Sequence, residues 1–216
     1  MPAASSADLV ERTAATLRSQ LIEGRLLPGQ QLIEPALTAE LAVSRNTLRE
    51  SFRILMHEGL LVRHPNRGVF VLEPGVADIL DIYRVRRVIE GQAVRLAVPR
   101  HPAIRSAAEA VDAAERARDE DDWQLVGTMN MAFHAALVEL ADSERLTETF
   151  ARLQAELRLA FTTLASPEFL HAPFIDENRV VVRHLQAGDM AAAADALDAY
   201  FTRSERTVLA AIGRRA

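Results

Sequence analysis

Apolar positions recur every three to four residues along most of the chain, and the pattern changes in one short stretch around residue 65. Val10, Leu17 and Leu21 predict a helix over 7–23. Gly24 ends it, and Pro28-Gly29 reads as a turn. Pro35 suits the first turn of a short second helix running to about Leu41. Ser44 is a good N-cap for a third, from Arg45 to about His57, which Gly59 stops. Over 60–72 the period shifts. Leu61-Val62 and Val69-Phe70-Val71-Leu72 are β-prone and flank His64-Pro65-Asn66-Arg67-Gly68, a turn-rich stretch, so a β-hairpin is expected. Three helices followed by a hairpin is the layout of a winged helix-turn-helix. Beyond Glu73-Pro74-Gly75 only helices are predicted, over 76–98, 103–119, 122–141, 144–165, 173–187 and 189–212. The breaks fall at Pro99 to Pro102, Asp121-Asp122, Asp142-Ser143, Ser166 to Pro173 and Gly188-Asp189. The expected fold is mainly α: a winged helix-turn-helix with a small β-hairpin wing over 7–74, then an all-α helical bundle over 76–214.

Composition narrows the class. The chain has 216 residues, 49% of them apolar, enough to bury a core in each of two domains. No run of about 18 apolar residues is present, so no membrane span is expected. Met1-Pro2-Ala3-Ala4-Ser5-Ser6 lacks the basic and apolar regions of a signal peptide. Cysteine is absent, which excludes disulfides and thiolate metal sites; a cytoplasmic location fits. Every cationic side chain other than histidine is arginine, and alanine is frequent, a pairing that reflects base composition of the coding DNA more than function. The net charge of −5 argues against a nonspecific DNA coat. Its distribution says more: residues 1–74 hold eight Arg against eight acids, and within 43–67 there are five Arg against two Glu. Positive charge is therefore local, as expected of one face that meets phosphate.

The third helix can be tested by geometry. Leu48, Phe52 and Leu55 share one face and must pack inward. At 100° per residue, Asn46, Arg49 and Arg53 cluster about 130° away, with Arg45 at the rim near the N-terminus. Arginine can contact guanine bidentately and asparagine adenine, so this face suits a major groove. Ser44, Thr47 and the N-terminal amides suit phosphate. Asn66, Arg67 and Gly68 at the hairpin tip, and Arg25, are further DNA candidates. An ordinary solvated helix face is the alternative reading; the adjacent hairpin and the local charge favour DNA.

These residues resemble the GntR family of bacterial regulators, of the FadR subfamily and VanR-like. The carriers are Glu23-Gly24-Arg25-Leu26-Leu27-Pro28-Gly29, Leu41 through Glu50, Glu58-Gly59-Leu60-Leu61, and Asn66-Arg67-Gly68-Val69-Phe70-Val71, in order and with family spacing. One departure is Asn46-Thr47-Leu48 where the family usually has Thr-Pro-Val. From about Tyr83 to Leu209 the chain is similar to the FCD-type helical effector domain, through Val85-Arg86-Arg87-Val88-Ile89-Glu90-Gly91, Asn130-Met131-Ala132-Phe133-His134, Asp176-Glu177-Asn178-Arg179 and Ala187-Gly188-Asp189. The resemblance implies a homodimer on a palindromic double-stranded operator, released by a small organic acid, with no membrane partner. It implies a regulator, most commonly a repressor, and not an enzyme. No Gly-rich phosphate loop, GxSxG or HExxH is present.

Many FCD domains hold a divalent metal through one aspartate and three histidines. The matching positions here are Asn130, His134, Asn178 and Tyr200, one histidine of three and no carboxylate. Asparagine and neutral tyrosine are poor ligands for a zinc-type ion, so the site is read as degenerate, with no cofactor and no divalent metal. The same four residues are effector-binding candidates. Arg86 is a candidate for gripping an effector carboxylate, and Arg158 a second. A histidine satisfied in a bundle core is the alternative for His134, and surface ion pairs are the alternative for both arginines. His171 and His184 read as surface or loop residues, His101 as a loop residue between prolines, and Asp119-Glu120-Asp121-Asp122 as a solvated loop with a helix cap.

Overall fold

The structure is a computed structural model and describes residues 6–162 and 167–213. The helices are α1 (Ser6–Ile22), α2 (Glu34–Leu41), α3 (Arg45–His57), α4 (Val76–Leu96), α5 (Pro102–Asp119), α6 (Trp123–Glu139), α7 (Glu144–Thr162), α8 (Pro167–Ala187) and α9 (Met190–Gly213). The strands are β1 (Gln31–Leu32), β2 (Leu61–His64) and β3 (Gly68–Val71). By their contacts the described residues fall into two compact units. One holds everything up to Gly75 together with the end of α7 from Ala155; the other holds the rest. The expected extension of the seventh helix to 165, its break at Ser166 and the domain end at 214 lie outside the described residues, as does the reading of Met1 to Ser5.

In the first unit, α1, α2 and α3 surround a core of Leu17, Leu21, Leu37, Leu48, Phe52 and Leu55, closed by Leu61, Val69 and Val71 of the sheet. Leu48, Phe52 and Leu55 turn inward as their spacing predicts. Pro35 sits in the first turn of α2, and Ala42 ends that helix in the left-handed region at φ 53°. Ser44 then caps α3, its Oγ accepting from the Thr47 N–H at 3.1 Å. Gly59, at φ +76°, carries the chain out of α3. The hairpin pairs antiparallel with Leu61 opposite Val71 and His64 opposite Gly68. Asn66 occupies the left-handed region at its tip, at φ 60°.

Two features of this unit were not expected. β1 adds a third strand, pairing Gln31 with Phe70 and Leu32 with Val69, so the sheet order is β1-β3-β2. Two residues are too few to display a period of two, and only the partner strand defines them. The second is Leu159 of α7, which is buried in this unit's core. Helical periodicity shows which face of α7 is apolar but not which core receives it.

In the second unit α4 packs on α9 and α6, α5 on α6 and α8, and α8 on α9 and α6. His101 caps α5 through Nδ1, which accepts from the Ala103 N–H at 3.1 Å, and Asp122 caps α6, accepting from the Leu125 N–H at 2.9 Å. The break expected up to Pro173 is corrected: α8 begins at Pro167 and carries Pro173 inside it. The proline removes one backbone donor, a cost of about 3 kcal/mol in a helix interior. Burial of Leu170, Phe174 and Ile175 offsets that cost. His171, expected at the surface, is buried in the same segment, and Gly127 leaves it room: a Cβ there would lie 2.8 Å from its Nε2.

Candidate DNA interface and buried polar cluster

The outer face of α3 carries Arg45, Asn46, Arg49 and Arg53, all exposed. Two of the arginines are held by carboxylates of the same unit. Arg49 Nε lies 3.0 Å from Glu34 Oε2, and Arg53 Nη1 lies 2.9 Å from Glu50 Oε1. Exposed pairs of this kind are worth about 0.2–1 kcal/mol, so phosphate or a base edge can displace them. The wing tip presents Asn66, Arg67 and Gly68, also exposed. The Arg67 carbonyl accepts from Gln31 Nε2 at 2.6 Å, and its guanidinium lies 5.4 Å from the Phe70 ring centroid, so β1 and β3 both steady the tip. Arg25 is exposed beside Glu23 at 2.7 Å, in the turn after α1. Thr47 is a correction. Its side chain is buried, its hydroxyl bonds Ser44 Oγ at 2.9 Å and its N–H is taken by the same Ser44 oxygen. It shapes the cap and offers nothing outward.

The second unit buries a chain of polar side chains drawn from four helices. Along α4 the buried positions Ile79, Ile82, Tyr83, Arg86, Glu90, Ala93 and Val94 form one helical face with a charge pair at its centre. Arg86 Nε donates to Glu90 Oε1 at 2.7 Å, and its guanidinium carbon lies 5.2 Å and 4.9 Å from the ring centroids of Tyr83 and Phe201. The other carboxylate oxygen of Glu90 lies 2.6 Å from His134 Nδ1 on α6, and His134 Nε2 lies 2.9 Å from the Tyr200 hydroxyl on α9. Asn130, one turn before His134, accepts from Asn178 Nδ2 of α8 at 2.8 Å. The Asn178 Oδ1 is buried with no hydrogen-bond partner.

The charge states follow from these contacts. Burial alone would push the Glu90 carboxyl up, but Arg86 and then His134 outweigh it and hold it below the usual carboxylate range. Burial pushes His134 below the ordinary imidazole value despite the attraction of Glu90. Burial pushes the Tyr200 hydroxyl up, so it stays protonated. The cluster is therefore one cation, one anion and neutral groups. Neutral His134 carries its proton on Nδ1, where a carboxylate accepts it, and receives the Tyr200 hydroxyl at Nε2.

Residues 9–71 match the family described as "Bacterial regulatory proteins, gntR family", and residues 81–203 match the FCD domain. The chain is 37% identical to a GntR regulator of Rhodococcus sp. whose solved structure superposes with a TM-score of 0.87, covering 94% of this chain and 98% of that one. The chain belongs to the GntR family of bacterial regulators, with an FCD domain. It is also 29% identical over 180 residues to the "Galactonate operon transcriptional repressor" of Escherichia coli, spanning 82% of this chain and 73% of that protein. A further relative, 26% identical over 179 residues, is the "Probable D-xylose utilization operon transcriptional repressor" of Paenarthrobacter nicotinovorans, with 82% and 79% covered. This GntR protein is thus a DNA-binding transcriptional regulator and not an enzyme.

Its FCD region departs from a metal centre in a specific way. Both nitrogens of His134 are engaged, by Glu90 and by Tyr200. Among the described residues no group of three or more His, Cys, Asp or Glu lies close enough to hold a metal ion. Asn178 bonds Asn130, Tyr200 bonds His134, and neither asparagine nor neutral tyrosine completes a ligand set, so the residues present do not fit a four-ligand metal site. One expectation about this region needs correction. The sequence reading places no carboxylate at the site, yet α4 supplies Glu90, fully buried. Arg86, the candidate for gripping an effector carboxylate, gives its Nε to Glu90. The signal for Glu90 was present as an i, i+4 Arg–Glu pair in the middle of the apolar face of α4. Arg158 belongs to the part of α7 that groups with the first unit.

The cluster makes stability depend on acid. Because the folded state disfavours protonated His134, the unfolded chain takes up that proton first. Stability therefore falls as pH drops through the ordinary histidine range near about 6.5. Glu90 adds a second loss: its contribution is present above the ordinary carboxylate value and disappears as pH falls through its lowered one. Urea unfolding from pH 8 down to about 3 should show the upper decline in full and the onset of the lower one, with the upper one reduced in His134→Asn. A stability that is flat between pH 7.5 and 5.5 would contradict a buried neutral imidazole.

Proposed function

We propose that this GntR protein is a repressor that binds a palindromic operator as a homodimer in the cytoplasm. In this reading residues 7–74 form the DNA-binding domain and 76–214 the effector-binding and dimerisation domain. The observation that carries it is the exposed row Arg45, Asn46, Arg49 and Arg53 on a capped helix, directly followed by a wing tipped with Asn66 and Arg67. Two copies of α3 would enter successive major grooves about one DNA turn apart. Arg45, Arg49 and Arg53 read bases or phosphates, Asn46 a base edge, and Ser44, Arg25, Arg67 and the backbone at Gly68 the phosphate chain. No metal or other cofactor is required.

A small molecule in the second unit, bound at or beside Asn130, His134, Asn178 and Tyr200, would shift the spacing of the two DNA heads. A coupling of about 1–3 kcal/mol is enough to change operator occupancy. An organic acid is the effector class that the family resemblance implies.

The test is fluorescence anisotropy of the full chain on an operator selected from random DNA, repeated over a salt series. Affinity should fall steeply as salt rises, by about 0.9 in the logarithmic slope for each phosphate contact. A flat response, or failure to select any sequence, would reject the reading.

A further inference from the structure

We infer that Glu34 is a positioning residue that makes Arg49 a reader of bases: it holds the guanidinium by Nε, leaves the terminal nitrogens to a base edge, and sets a negative charge against phosphate. The inference rests on the reading of the outer face of α3 as the surface that meets DNA. The nitrogen that is held is its first support. Arg49 Nε donates to both carboxylate oxygens of Glu34, at 3.2 Å and 3.0 Å. Nη1 and Nη2 make no hydrogen bond among the described residues. A guanine edge offers two acceptors, O6 and N7, and the two Nη groups can address both while Nε stays on Glu34. Arg53 and Arg25 are held differently. Glu50 takes Nη1 of Arg53 at 2.9 Å, and Glu23 lies 2.7 Å from Nη2 of Arg25. Each must leave its acid to use that nitrogen on DNA, whereas Arg49 need not.

The acid is itself anchored. Glu34 opens α2, and Ile33 before it supplies no side-chain cap, so negative charge is favoured beside the unsatisfied N–H groups of that first turn. Pro35 sets the backbone next to it. The Glu34 side chain is 25% exposed against 58% for Arg49, so the acid is the fixed member of the pair. Fifteen positions separate the two residues, and the aim of Arg49 is set by α2 and α3 together. Charge is the second support. With Glu34 in contact, Arg49 attracts a phosphate less strongly, because the phosphate brings a second negative charge toward the carboxylate. The uncharged acceptors of a base edge bring none. The pair therefore penalises contacts that any DNA offers and spares the one that a particular base offers. Specificity is a difference of affinities, and this arrangement widens it.

The experiment is anisotropy of the full chain and of Glu34→Gln on the selected operator, on its single-base variants and on unrelated duplex DNA, over a salt series. Glutamine keeps the size of the side chain and removes its charge. Glu34→Gln should bind unrelated DNA several-fold more tightly, with a salt slope steeper by about 0.9 for each arginine released to a phosphate. Its preference at the base read by Arg49 should fall by about 5-fold or more. A residue that only ties α2 to α3 would move melting and leave base preference alone, so thermal unfolding is followed on the same samples and should stay nearly constant. Glu34→Ala gives the same comparison if the glutamine variant does not fold. Arg49→Ala supplies the cross-check: in that background Glu34→Gln should no longer change base preference, because the residue it acts through is gone. The inference is overturned if Glu34→Gln leaves either the base preference or the affinity for unrelated DNA at its unmodified value, or if it acts equally with and without Arg49. Those results reject only the role given to Glu34, provided that Arg49→Ala weakens operator binding. Failure to select an operator, or no effect of Arg49→Ala on it, rejects the DNA-facing reading of α3 and this inference with it.

Discussion

Arg86→Met is expected to destabilise the protein by about 3–5 kcal/mol, the largest effect of any single substitution considered. The reason is the partner left behind. Glu90 is fully buried, and without the guanidinium its charge is balanced by no other cation of the cluster, because burial keeps His134 neutral. Glu90 would then either take up a proton or draw one onto His134, and each choice costs stability near neutral pH. Urea unfolding monitored by far-UV circular dichroism measures the loss. Arg86→Met combined with Glu90→Met should recover part of it, since two apolar groups replace a desolvated pair. Recovery stays incomplete because His134 Nδ1 loses its acceptor. A cost under about 1 kcal/mol for Arg86→Met would mean that the pair is neither buried nor charged as described.

Arg49→Ala should weaken operator binding by about 1–3 kcal/mol for each half-site, or about 5- to 150-fold, and relax the preference at one base of that half-site. Arg49 is exposed and its present partner is Glu34 on α2, so its removal leaves the core of the first unit unchanged. Folding and binding therefore separate cleanly at this position: melting should shift by well under the change seen in affinity. The measurement is anisotropy on the selected operator and on single-base variants of it. Uniform weakening across all base variants would reassign Arg49 to phosphate. Unchanged binding would remove the outer face of α3 from the interface.

The first unit was the more legible of the two, and particular residues explain why. Ser44, Gly59 and the Pro65-Asn66 turn act through local backbone chemistry, which a sequence displays directly. Leu48, Phe52 and Leu55 declare the inner face of α3 by spacing, and the outward row of Asn46, Arg49 and Arg53 follows. Thr47 was misplaced because it lies beside that row in sequence but a third of a turn away on the helix, where Ser44 holds its hydroxyl. β1 escaped notice because Gln31 and Leu32 become a strand only by pairing with β3. Pro173 was read as a break because local propensity was weighed without the burial of Leu170 and Phe174 that overrides it.

The sequence by itself determined the helical periods, the capping and turn residues, the hairpin and the exposed basic face, since each rests on neighbours within a few positions along the chain. It also marked Asn130, His134, Asn178 and Tyr200 as a set, through family resemblance. Only the tertiary structure decided what those four residues meet. Glu90 meets His134 from 44 positions away, and Tyr200 meets it from 66. Whether a buried arginine is open to a ligand or already neutralised depends on which acid the fold brings beside it. Burial makes that choice decisive, because a charge removed from water must find its partner inside the protein.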